Sequence, residues 1–189
     1  MKPKVLLISP GGCACTSVIN FLKDNGVSIN NNKDIDKLKH TLPWNPLVKK
    51  YNPTHILYIY GDLDKAIRSL FRRKFHNPQY YKLHNLINSQ NIPMPFNNFK
   101  QYIEIVKKSR TEPLGLLNHY NSWKTVPNVF FIHYESIPTS TTIDNFLQVP
   151  LGTCSKFILK ERTSVLNQHE TPEYLSIING FTKQLTNTL

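Results

Sequence analysis

Three short apolar runs, each closed by a turn signal, restrict this chain more than any other feature of its sequence. The first is Lys4 to Ile8, ending at Ser9-Pro10-Gly11-Gly12. The second is His55 to Tyr60 (HILYIY), which follows Asn52-Pro53 and ends at Gly61-Asp62. The third is Val129 to Tyr134 (VFFIHY), which follows Pro127-Asn128 and ends at Glu135-Ser136. Short apolar runs bounded in this way read as strands buried on both faces. Helical spacing fills the stretches between and after them. Thr16 to Asn25 carries Val18, Ile19 and Leu22 on one stripe and stops at Gly26. Asp62 to Phe75 carries Ala66, Ile67, Leu70 and Phe71, with Asp62 placed to cap its start. Asn97 to Ser109 and Pro113 to Trp123 repeat the pattern, and Thr171-Pro172-Glu173 opens a last helix. Strands alternating with helices predict an α/β domain with a central parallel sheet flanked by helices.

Composition bounds the functions open to such a domain. The 189 residues suit a single domain, 1–189, with one core. Hydrophobic residues make up 40% and charged residues 19%, which excludes a disordered charged tail. The run Val5-Leu6-Leu7-Ile8 is far shorter than the roughly 20 residues of a membrane span. It is also too short for a signal-peptide core, and no small-residue cleavage site follows it. A soluble protein without a membrane span, cytoplasmic or otherwise intracellular, is expected. Three cysteines, two of them as Cys13-x-Cys15, cannot make a disulfide framework. No second Cys or His cluster completes a zinc site, so no metal is expected. Twenty-three Lys+Arg against twelve Asp+Glu give a net charge of +11, which favours an anionic partner or substrate. Nucleic acid, an acidic glycan, a phosphorylated nucleotide and a membrane surface all satisfy that charge, as does a merely solvated basic face. Arg68, Arg72, Arg73 and Lys74 spread around a helix rather than along one stripe, and no nucleic-acid-binding motif accompanies them. Nucleic acid is therefore not the expected partner.

In an open α/β sheet the ligand sits beyond the carboxyl ends of the strands. The turn after the first strand reads Ser9-Pro10-Gly11-Gly12-Cys13-Ala14-Cys15-Thr16-Ser17 and leads directly into a helix. Small side chains let backbone N–H groups close around an anion, and the helix start adds partial positive charge. Gly11, Gly12, Cys13, Ala14, Cys15, Thr16 and Ser17 are thus candidate phosphate-cradle residues; a tight turn with no ligand is the plain alternative. The GxxxxGK[ST] loop of ATP-binding proteins requires a Lys that is absent here, which argues against an atypical nucleotide kinase. Cys13 and Cys15 read as small-residue packing, with a reactive thiol at the helix start as the sharper possibility.

Five segments in order resemble the sulfotransferase family. SPGGCACTSV is similar to that family's phosphate-binding loop, PKSGTTW or PKCGTTSL, once one residue is inserted. KHTLP, Lys39 to Pro43, resembles KTHLP with His and Thr exchanged. HILYIYGDLDKAIRSLFRR, His55 to Arg73, resembles VIYVARNPRDVAVSYYR, and places Ser69 on the family's serine for the cofactor's 3′-phosphate. LLNHYNSWKTVPNVFFIHYESI, Leu116 to Ile137, resembles HVLGWWE…NVLFLRYEDL. LKERTSVLNQ, Leu159 to Gln168, is similar to SKVERSSDQV of tyrosylprotein sulfotransferases.

The resemblance implies a P-loop-like fold. It also implies transfer of a sulfuryl group from 3′-phosphoadenosine 5′-phosphosulfate, without a metal, to a hydroxyl or amine. The acceptor would be a small molecule, glycan or peptide, with an anionic one favoured by the protein's basic charge. Candidate catalytic residues are Lys39 and His40, with His40 as base; a surface His in a lysine-rich loop is the other reading, since in an extended segment the exchange turns it to the opposite side. Thr41 stands in the family register. Departures are visible: Gly11 or Gly12 replaces the loop Lys, and Gly61 replaces the Arg that opens the 3′-phosphate segment. Lys65, one turn before Ser69, together with Arg68 and Arg162, are candidates to supply that charge. The losses leave open a catalytically silent nucleotide- or polyanion-binding module of the same fold. Tyr80 and Tyr81 fall where the family carries acceptor-binding elements.

Overall fold

The computed structural model describes residues 3–84, 93–160 and 171–186. In chain order its elements are β1 (Lys4–Ile8), α1 (Cys15–Asp24), β2 (Ser28–Ile29), α2 (Pro46–Tyr51), β3 (His55–Tyr60), α3 (Leu63–Arg72), α4 (His76–Leu83), α5 (Phe99–Ser109), α6 (Leu116–Lys124), β4 (Val129–His133), α7 (Thr141–Leu147) and α8 (Pro172–Thr186). Tighter 3-10 turns occupy Tyr134–Thr139 and Cys154–Lys156. The described chain divides into two compact units, one of residues 3–9, 13–61 and 122–160, the other of residues 10–12, 62–84, 93–121 and 171–186.

The first unit holds a four-stranded, all-parallel sheet in the order β2-β1-β3-β4, as an α/β chain requires. Val5 to Ile8 of β1 and Leu57 to Ile59 of β3 are fully buried, which is why they read as unbroken apolar runs. β4 lies at an edge and is only half-buried; it stops at His133, one residue before the expected end, because Tyr134 already turns. β2 was not legible in the sequence: two residues carry no period. Beyond it the Asn30 side chain continues the pairing, accepting from Leu7 N (2.8 Å) and donating to Leu7 O (3.1 Å). The chain leaves β1 for β2 on one side and reaches β3 on the other, so the order reverses between β1 and β3. That reversal is where ligands bind in sheets of this kind.

The second unit packs α3, α4, α5 and α8 around aromatic rings. Phe71, Phe96, Phe99 and Tyr102 lie with ring centroids 5.2 to 6.2 Å apart, and Tyr174 joins Phe99 edge-on. Asp62 caps α3 through Lys65 N, as its position predicts. The helix ends at Arg72 rather than Phe75, since Lys74 takes a left-handed φ of 57° and Phe75 N reaches back to Leu70 O at 2.8 Å. α6 starts three residues later than the sequence suggests. Glu112, buried, is the reason: its carboxyl accepts from Leu114 N, Leu116 N, Leu117 N and the Tyr102 hydroxyl. Burial pushes the Glu112 pKa up, and these hydrogen bonds pull against it.

Two stability predictions follow from this unit. Glu112→Ala strands four donors, and should lower unfolding free energy by about 3 kcal/mol or more. Urea denaturation reads this directly, and a loss below about 1 kcal/mol would show that water replaces the carboxyl. His76 is buried against Phe71 (4.3 Å between ring centroids), and its Nδ1 has no hydrogen-bond partner among the described residues. Burial pushes its pKa below the ordinary 6.5, with a backbone bond from Asn97 opposing. The neutral ring therefore contributes stability that is full above pH 6.5 and is lost as pH falls through the lowered folded pKa. Subtracting the stability–pH curve of His76→Gln from that of the native chain should isolate this slope; a flat difference would contradict it.

Candidate functional site

The end of β1 gathers the sequence's candidate catalytic residues. Ser9 is fully buried, and its amide donates to Lys39 O at 3.1 Å. His40 Nδ1 lies 2.9 Å from the Ser9 carbonyl and 3.4 Å from its hydroxyl. A carbonyl can only accept, so Nδ1 carries the hydrogen of this bond. The Cys15 thiol donates to the Ser9 hydroxyl from the first residue of α1. Thr41 goes the other way: it is buried, and its carbonyl accepts from Trp123 Nε1 at 2.9 Å. The exchange of His and Thr therefore leaves His40, half-buried, against the loop.

Lys39 stands at the start of α1. It is only 8% exposed, and its Nζ donates to Thr16 Oγ1 (3.1 Å) and Asn32 O (2.8 Å). Both acceptors are neutral, and none of the described ion pairs includes Lys39. Ala14 occupies the cap position of α1 at φ 56°, supplies no side-chain oxygen, and no acidic residue follows in the first turn. The Ala14 carbonyl accepts from Ser17 N and Val18 N. The positive end of the helix dipole and a buried ammonium thus share one place, Thr16 exposed and Ser17 half-buried beside them. Cys13, buried, lies against Gly61 at the end of β3: a Cβ on Gly61 would stand 4.0 Å from its Sγ. Cys154, in the same unit, is buried, and burial together with Asp144 pushes its thiol up to about 12, away from the reactive thiolate.

Pro10 to Gly12 and the candidates on α3 belong to the second unit. The Pro10 carbonyl accepts from Gln79 Nε2 at 2.7 Å. A Cβ on Gly12 would meet Ala66 O at 2.5 Å and Ala66 Cα at 2.7 Å, and its φ is 71°. Backbone on backbone cannot yield, so position 12 admits no lysine. On α3, Lys65 is exposed, with its amide on the Asp62 cap. Arg68 is buried, its Nε on the Asp64 carboxylate and its guanidinium over the Phe99 ring. Asp64 also accepts from the Tyr174 hydroxyl at 3.1 Å. Ser69 is 7% exposed, and its hydroxyl forms no hydrogen bond with a described residue. Tyr80 is buried against Tyr81, His84 and Phe96, and Tyr81 is half-buried. Arg162 lies outside the described residues.

Sequence reasoning missed Asp34, Asn30 and Gln79. The run Asn30-Asn31-Asn32 reads as composition alone, although Asn and Asp two to five residues apart are able to tie a loop through their own backbone. Among the described residues no group of three or more His, Cys, Asp or Glu side chains is arranged to hold a metal ion, and no helix is long and apolar enough to cross a membrane. Comparison with protein-family models, curated proteins and solved structures gives no match to this chain.

Proposed function

We propose that the protein is a sulfotransferase that takes a sulfuryl group from 3′-phosphoadenosine 5′-phosphosulfate and gives it to a hydroxyl or amine, on a P-loop-like fold. The observation that carries this reading is the pair formed at the end of β1: His40 held through Nδ1 on the Ser9 carbonyl, and Lys39 held on Thr16 at the start of α1. Sulfuryl transfer is in-line displacement with charge on the equatorial oxygens, so fixed donors and cations carry most of it. The acceptor oxygen attacks sulfur as His40 Nε2 takes its proton. The bond from sulfur to the bridging oxygen breaks, and adenosine 3′,5′-bisphosphate leaves with the electron pair. Lys39 and the α1 amides neutralise the charge on the transferring oxygens.

Ser69 takes the 3′-phosphate in this reading. Ser69 is a largely buried hydroxyl residue on α3 at the position of the family's serine, and an oxyanion there would accept its hydrogen. A second reading, a nucleotide-binding module without transfer, is favoured by Gly61 in place of the Arg.

Calorimetry with adenosine 3′,5′-bisphosphate tests the proposal first, because the product needs no acceptor. Binding should raise stability by about 2.7 kcal/mol at a hundred times the dissociation constant. No heat and no thermal shift at millimolar nucleotide would sink it. His40→Gln should keep that binding and lose transfer, which mass spectrometry reads as a missing gain of about 80 Da, the mass of the SO3 group moved; a native chain that binds but transfers to no acceptor supports the second reading. Ser69→Ala should weaken the bisphosphate roughly ten- to a hundredfold. It should leave adenosine 5′-phosphosulfate and the melting temperature nearly unchanged. Equal weakening of both nucleotides would remove Ser69 from the 3′-phosphate.

A further inference from the structure

We infer that Asp34 is the positioning residue that holds the Lys39 ammonium at the start of α1, an inference that rests on the sulfuryl-donor reading of that place. Asp34 Oδ1 accepts from Lys39 N at 2.8 Å. On the far side of the same residue, Lys39 O accepts from Ser9 N at 3.1 Å. Both peptide groups of Lys39 are thereby fixed, and with them the direction in which its side chain leaves the backbone. The side chain then has one described destination, Thr16 Oγ1 and Asn32 O.

Residues 30–39 form no helix or strand, so side chain to backbone bonds hold them. Asn31 Oδ1 accepts from Lys33 N at 2.7 Å, and the Asp36 carboxylate accepts from Asn31 N and Leu38 N. None of these touches Lys39. Asp34 alone among these acidic and amide side chains closes on it. It does so from a left-handed conformation, φ 59°, which Asp and Asn tolerate better than other residues with a Cβ. Its own main chain is pinned as well, by Asp34 N to Asn31 O and Lys37 N to Asp34 O. The segment is a polar clip that carries a lysine to the start of α1.

Two substitutions separate what Asp34 contributes. Asp34→Asn keeps an oxygen acceptor and the left-handed preference but removes the charge; Asp34→Ala removes the acceptor. Competitive acylation of lysines, mapped by peptide mass spectrometry on the ligand-free protein, reads the position of Lys39 without any nucleotide. Lys39 should label slowly beside exposed Lys49 and Lys50 in the native chain and in Asp34→Asn. In Asp34→Ala it should label about tenfold or more faster, as the loss of one hydrogen bond to a charged group implies. Unchanged Lys39 labelling in Asp34→Ala, or fast labelling in Asp34→Asn, would overturn the assignment. Asp34→Asn decides alone if the alanine variant does not fold, since exposure of Lys39 there is sufficient to reject it. Affinity for adenosine 3′,5′-bisphosphate gives the functional arm. Asp34→Ala should weaken it about tenfold in the native background and leave it unchanged in Lys39→Met, because the two residues act as one unit. Equal losses in both backgrounds would make Asp34 merely structural. A native chain that binds no nucleotide rejects the sulfotransferase reading, and the labelling result still stands for or against Asp34.

Discussion

Ser9 is where a strand, a helix start and a distant loop are tied together, and the candidate site depends on that knot. Its amide takes the carbonyl of Lys39, its own carbonyl takes the imidazole of His40, and its hydroxyl takes the thiol of Cys15. Residues 39 and 40 are about thirty positions from β1 in sequence, and the connection through α1 and β2 does not by itself hold them against the strand's end. The rigidity comes from spending the main chain of a fully buried residue on both of them. A hydrogen bond at this depth has no water to compete with, so it fixes geometry more firmly than the same bond at the surface.

Sterics decide the loop residues of the second unit, and electrostatics the helix start of the first. Gly12 faces the backbone of α3 so closely that no side chain fits there, and Gln79 fills the space beside Gly11. The loop cannot carry its own cation at position 12. Within the first unit, Lys39 places a cation on Thr16, the second residue of α1. A lysine that is only 8% exposed interacts with a neighbouring anion more strongly than a solvated one does, because less water screens it.

Much of the fold was legible because burial writes a simple pattern. The three long strands, the caps at Asp62 and Thr171, and the cores of α1, α3, α5 and α6 all appear in the sequence at or near their observed bounds. What stayed hidden has a common physical cause. β2 is two residues long, α4 mixes polar and apolar positions without a clean stripe, and α7 is barely two turns. The site divides in the same way. Small residues after a strand announce a helix start, and KHTLP announces Lys39 and His40. Which face each presents depends on tertiary bonds to Ser9 and Trp123 that no local period encodes. Asp34 was invisible for a related reason: its partner is a peptide group, and peptide groups are the same at every position.

The distribution of buried charge points in one direction. Glu112 is met by a hydroxyl and three amides, Asp144 by the amides of Gly152 and Cys154, and Asp64 by Arg68 and Tyr174. Each of these carboxyls has its donors supplied by the fold, as burial demands. Lys39 differs from them. It is a buried cation whose described partners are a hydroxyl and a carbonyl, at a helix start that adds positive potential of its own. In a chain of net charge +11 nothing general offsets that local excess. The described acids are met by donors inside the fold; in the reading proposed above, the charge of Lys39 is the one left for an anionic donor.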